Sequence, residues 1–96
     1  MGRPGSTRAP RVVLYKAEGC HLCERAKVQL AELRDELGFD LVEVTIDGYP
    51  ELESRYRELI PVVEIEGEQA FTYYVHEAGF RRRLEAAQTR LREGSL

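Results

Sequence analysis

The chain has no tryptophan, one methionine and only two cysteines among its 96 residues. Cysteines placed as Cys20 and Cys23 are too few and too close to staple a small secreted domain, which would need several bridges to make up for a thin core. No apolar stretch approaches the roughly 20 residues that a membrane-spanning helix requires. Nor does an apolar run of about 7 to 15 residues follow a basic N-terminus, as a secretory signal would. Neither sign of charge dominates: 14 Lys and Arg against 17 Asp and Glu leave a net charge of −3, which argues against a polyanion-binding surface. These absences point to a cytoplasmic, reducing setting, with neither nucleic acid nor membrane as partner.

What remains is enough for one domain with a small core. Residues 1–10, rich in Gly, Pro, Ser, Thr and Arg, offer almost nothing to bury and read as a disordered N-terminal tail ahead of a domain over 11–96. From Arg11, the continuously apolar run Val12-Val13-Leu14-Tyr15 predicts a central strand covered on both faces. Leu22, Ala26, Leu30, Leu33 and Leu37 then form one apolar helical stripe, with Gly38 as its C-terminal stop. Leu41 to Ile46 alternates as a strand, and strand, helix and strand in succession imply a parallel, right-handed unit.

Asp47-Gly48-Tyr49-Pro50 reads as a turn and Glu51 to Leu59 as a short helix, ended by Pro61, which disfavours helix at Ile60. Val62–Ile65 and Ala70–Val75 read as strands joined by residues 66–69 into an antiparallel hairpin. On that reading Tyr73 and Tyr74 face opposite sides of their strand. A last helix runs from about Glu77 to Arg92, with Phe80, Leu84, Ala87 and Leu91 on its buried face. The predicted order is βαβαββα.

The two cysteines fall between the first strand and the first long helix. There the unpaired N–H groups and the positive end of the helix dipole favour thiolate over thiol at the leading sulfur. Cys20 is thus placed to attack a disulfide, and Cys23, one turn on, to resolve the mixed disulfide from close range. His21 when protonated, and Lys16 if it reaches over, would favour that thiolate, whereas Glu18 would oppose it.

This combination resembles the thioredoxin-fold superfamily, and within it the glutaredoxin-like branch, over about Arg11 to Glu93. The resemblance is carried by the element order without an extra N-terminal strand and helix, by Val-Val-Leu-Tyr five residues ahead of the first cysteine, by the C-x-x-C pair, and by Ile60-Pro61-Val62 entering the third strand. It implies a four-stranded mixed sheet of spatial order second, first, third, fourth, flanked by helices on both faces. It also implies a cis Ile60–Pro61 peptide lying against the cysteines, with the Ile60 backbone free to pair with an extended substrate. From the residues alone, a cis bond cannot be read and Pro61 is an ordinary trans proline marking a helix end, although a proline at the first residue of an inner strand would leave neighbouring backbone groups unpaired beside the sulfurs.

Cys20 and Cys23 are therefore the expected catalytic pair of a thiol-disulfide oxidoreductase acting as a monomer, with Ile60, Pro61 and His21 as substrate contacts and disulfide-bearing proteins or small thiols as partners. No metal or cofactor is expected. Dithiol glutaredoxins usually carry Pro-Tyr between the cysteines, a lysine three residues before the first, and a glycine pair with a small or acidic cap before the last helix. Here stand His21-Leu22, Lys16 at four residues, and Tyr73-Tyr74-Val75-His76-Glu77-Ala78, so glutathione as a specific co-substrate is disfavoured.

Two other classes compete. One is an iron-sulfur or zinc carrier, for which His21 and His76 are the only imidazoles at hand; His21, between the cysteines, cannot easily converge with both, so a cluster shared between two chains is favoured over a closed site in one. The other is a redox-inert interaction module, in which Cys23 would be expendable. Arg81-Arg82-Arg83 fan around their helix and read as a solvated face, and Tyr49 and Tyr56 read as packing residues.

Overall fold

A computed structural model describes residues 9–94, in the expected order β1 (Arg11–Lys16), α1 (His21–Leu37), β2 (Asp40–Thr45), α2 (Pro50–Tyr56), β3 (Val62–Ile65), β4 (Glu68–Thr72) and α3 (Glu77–Gly94). The sheet has four strands in the order β2-β1-β3-β4. β1 pairs parallel to β2 and antiparallel to β3, and β4 closes the hairpin antiparallel to β3.

Period-two alternation assigns the layers. Val12 and Leu14 of β1 and Val63 and Ile65 of β3 face Ala26, Leu30 and Leu33 of α1 and Phe80, Leu84 and Ala87 of α3 in one core. On the opposite face Val62 packs with Ile46 and Tyr56, and Tyr15, Leu52 and Ile60 close around them, so α2 covers that side. Leu14, Leu30 and Phe80 are fully or almost fully buried, each contributing about 1.5–3 kcal/mol of transfer free energy.

Termini and turns follow local chemistry. Gly38 stops α1 in the left-handed conformation (φ +78°), with its N–H donating to the Arg34 carbonyl at 2.8 Å. α2 begins one residue before the expected start, with Pro50 at its first turn, where no N–H is needed. It ends at Tyr56 rather than Leu59, because the Tyr56 carbonyl accepts the N–H groups of both Leu59 (2.8 Å) and Ile60 (3.1 Å) and the chain tightens out of the helix.

The hairpin connection is shorter than expected. Ile65 pairs with Glu68, leaving Glu66 and Gly67 as a two-residue loop, both with positive φ (51° and 83°), the requirement of a type I′ turn. β4 consequently starts and stops earlier than the apolar pattern suggests, and Tyr73 and Tyr74 lie beyond it instead of on opposite faces of a strand.

Other expectations are corrected as well. Pro10, assigned to the tail, is buried, and its carbonyl accepts the Asp40 N–H at 2.9 Å; the tail residues 1–8 lie outside those described. Arg81 is not merely solvated: its guanidinium donates twice to Glu36 of α1, at 2.8 Å each, and also to Glu77. Tyr49 is 61% exposed and packs into neither core, whereas Tyr56 is buried.

Candidate functional site

All of the strand ends that matter lie together. Lys16 pairs with Thr45 across β1 and β2, Tyr15 with Val62 across β1 and β3, and Val62 with Thr72 across β3 and β4. The segments 17–20, 46–49, 59–61 and 73–76 therefore emerge at one end of the sheet. There the N–H of Glu18 donates to Asp47 Oδ2 at 2.8 Å, tying the loop before α1 to the loop before α2. Gly19 turns the chain with φ +75°.

Cys20 is the N-cap of α1, with extended backbone (φ −90°, ψ 108°). Its Sγ accepts the backbone N–H of Cys23 at 3.1 Å, so a sulfur takes the place that a Ser or Asp oxygen holds at other helix starts. Its carbonyl accepts the N–H of Glu24 at 3.1 Å, the first full helical bond. Cys20 and Cys23 are joined in a disulfide, with Cα atoms 5.2 Å apart. Burial separates the two: Cys20 is partly exposed, whereas Cys23 is 1% exposed beneath the helix.

Ile60–Pro61 is a cis peptide. Pro61 is buried, and its carbonyl accepts the Tyr73 N–H at 2.9 Å. Of the Ile60 backbone expected to be free, the N–H is given to the Tyr56 carbonyl at 3.1 Å, four residues back, as the last helical bond at the end of α2. His21 is exposed in the first turn of α1 between the cysteines.

Lys16 does not turn to the sulfurs. Its Nζ lies 2.8 Å from Glu43 Oε1, a bond that raises the lysine's pKa and holds the Glu43 carboxyl below its usual range. Among the described residues no group of three or more His, Cys, Asp or Glu side chains could hold a metal ion. No helix among them is long and apolar enough to cross a membrane.

Three features of this end escape sequence reasoning. Asp47 sits in an ordinary turn signal, and nothing in the pattern says that it caps a loop 29 positions away. Gln29, midway along α1, donates from Nε2 to the Val75 carbonyl at 3.0 Å. Below Pro61, Tyr15 and Tyr56 stack with ring centroids 4.3 Å apart, and both hydroxyls donate to Glu64, at 3.4 Å and 2.8 Å. Burial, followed by the Glu64 charge, pushes the Tyr15 phenol up to about 12.

Comparison with known proteins bears on this geometry. Residues 11–85 match the family model described as Glutaredoxin-like domain (DUF836). An uncharacterized protein of Mycobacterium tuberculosis, Rv0508, is 36% identical over 77 residues, covering 75% of this chain and 79% of the relative. Among solved structures, protein Ne2328 of Nitrosomonas europaea superposes with a TM-score of 0.72 at 27% identity, covering 86% of this chain and 98% of that one. Protein XcR50 of X. campestris does so with 0.65 at 30% identity, covering 78% and 96%. Fasciola hepatica thioredoxin, at 18% identity and a TM-score of 0.57 over 86% of this chain and 84% of its own, shares the fold.

Proposed function

The chain belongs to the glutaredoxin-like domain family, and from that premise we propose that it is a thiol-disulfide oxidoreductase whose Cys20–Cys23 pair exchanges with the disulfides of proteins or small molecules. The observation that carries this reading is the asymmetry at the head of α1: a partly exposed Cys20 sulfur that accepts a backbone N–H, with Cys23 buried behind it. An N–H donor aimed at sulfur, together with the helix dipole, lowers the free energy of the thiolate relative to the thiol.

In the reduced protein the Cys20 thiolate attacks one sulfur of a substrate R–S–S–R′. The bond Cys20–S–S–R forms, R′S⁻ leaves and takes up a proton. Cys23 then loses its proton to solvent or to the leaving group and attacks the Cys20 sulfur, displacing RS⁻. Two electrons pass from the cysteine pair to the substrate, which ends as two thiols, and the pair ends as the disulfide. A dithiol, or two equivalents of a monothiol, restores the reduced pair by the same steps in reverse order. No other cofactor enters, and the reaction suits the thiol-rich cytoplasm and a monomer.

The test is reduction of a small neutral disulfide with a dithiol as electron donor. Wild type turns it over, Cys20→Ser does not, and Cys23→Ser accumulates a mixed disulfide on Cys20. Turnover surviving in Cys20→Ser would overturn the assignment.

A further inference from the structure

The loop between β4 and α3 holds a strained residue. Tyr73 has φ +67°, and the Tyr74 N–H donates to the Thr72 carbonyl at 2.6 Å, so Tyr73 centres a γ-turn of the rare positive-φ kind. A non-glycine residue stays in such a conformation only when its surroundings over-determine it. Here they do. The Tyr73 N–H is held by Pro61 at 2.9 Å, its hydroxyl donates to the Glu58 carbonyl at 2.6 Å, and Gln29 holds the Val75 carbonyl. The loop is pinned to the proline segment on one side and to α1 on the other.

Between the loop and the first turns of α1 this leaves a recess of about 170 Å³, with Leu22, Arg25 and Ala26 on one wall and Tyr73, Tyr74 and Val75 on the other. Sites for whole small molecules run to about 300–1,000 Å³, so this one has room for a single side chain. Leu22 stands between the two cysteines in the chain, so an occupant would belong to a segment next to the reacting sulfurs. The tyrosine wall is 43% and 57% exposed and offers apolar ring area to an aliphatic stem. Arg25 is exposed and has no ion pair or hydrogen bond among the described residues, and no carboxylate lines the recess. A guanidinium free to donate from two nitrogens recognises a carboxylate.

We propose that this recess is a specificity subsite that receives an acidic side chain, flanking the disulfide cysteine of a polypeptide substrate, and that Arg25 recognises its carboxylate. The proposal rests on the dithiol reading above. It assigns a substrate class, polypeptide disulfides with an acidic residue beside the cysteine, and it gives a use to Tyr73-Tyr74.

The test uses two peptide disulfides identical except for Glu or Lys next to the cysteine, with the neutral small disulfide and glutathione disulfide alongside. The Glu/Lys ratio of kcat/KM is internal to each protein, so effects on folding or on overall turnover cancel. Wild type should favour the Glu peptide on the order of fivefold, the size of a partly exposed ion pair. Arg25→Ala should bring the ratio to one, and Arg25→Glu should invert it. Equal rates for both peptides in wild type, or a ratio unmoved by both substitutions, overturns the subsite while turnover of the neutral disulfide keeps the redox reading standing. An Arg25 effect confined to glutathione disulfide overturns the polypeptide assignment. Failure of wild type to reduce even the neutral disulfide overturns the redox reading and the subsite with it.

Discussion

The two faces of the sheet are built to different rules. Against α1 and α3 the interior is apolar throughout, from Val12 and Leu14 to Phe80 and Leu84, and it makes its contribution by burial alone. Against α2 the packing includes a carboxylate, Glu64, held by two stacked tyrosines. This polar cluster lies directly under the end of α2, whose last carbonyl holds the Ile60 N–H beside Pro61. The dry face secures the fold, and the mixed face packs against Ile60, the residue before the cis proline.

The largest effect should come from the dry face. Phe80→Ala is expected to cost about 3–5 kcal/mol, a large share of the roughly 5–15 kcal/mol that a domain has, read as a fall in the urea midpoint. The exchange rate per folded molecule should stay at the wild-type value. If that rate falls as well, the division between the faces is wrong.

On the mixed face, Tyr56→Phe keeps the ring stack and removes the 2.8 Å bond to Glu64. We expect a cost of about 1.5 kcal/mol, the low end for a bond to a charged acceptor because Glu64 keeps partial contact with water. An unchanged urea midpoint would mean that water replaces the hydroxyl without loss.

Alkaline pH sharpens the same contrast. Tyr15 is raised from 10.0 to about 12 in the fold, so folding favours the neutral phenol. Its contribution is present in full below pH 10 and is lost as pH rises through about 12. Urea midpoints measured across that window should fall in wild type and fall less in Tyr15→Phe; identical slopes would remove Tyr15 as the cause.

Much of this was legible in the residues, for identifiable reasons. The α1 stripe and Gly38 carry strong local signals, and C-x-x-C between a buried strand and a helix start has one obvious placement, so the element order and the position of the disulfide follow from short-range chemistry. The misses lie elsewhere. Phe71, Tyr73 and Val75 look like a continuing strand, but Tyr73 takes a positive φ and the Tyr74 N–H donates back to the Thr72 carbonyl, which turns the chain out of it. Lys16 reads as a cation near the sulfurs until its parallel neighbour strand supplies Glu43.

The claim on which the rest depends is that α1 presents one reactive sulfur and conceals the other. Treating the fully reduced protein with less than one equivalent of iodoacetamide at neutral pH, then locating the label by peptide mapping, tests it directly. Label on Cys20, several-fold ahead of Cys23, is the expected result; equal labelling of the two, or Cys23 ahead, would contradict it.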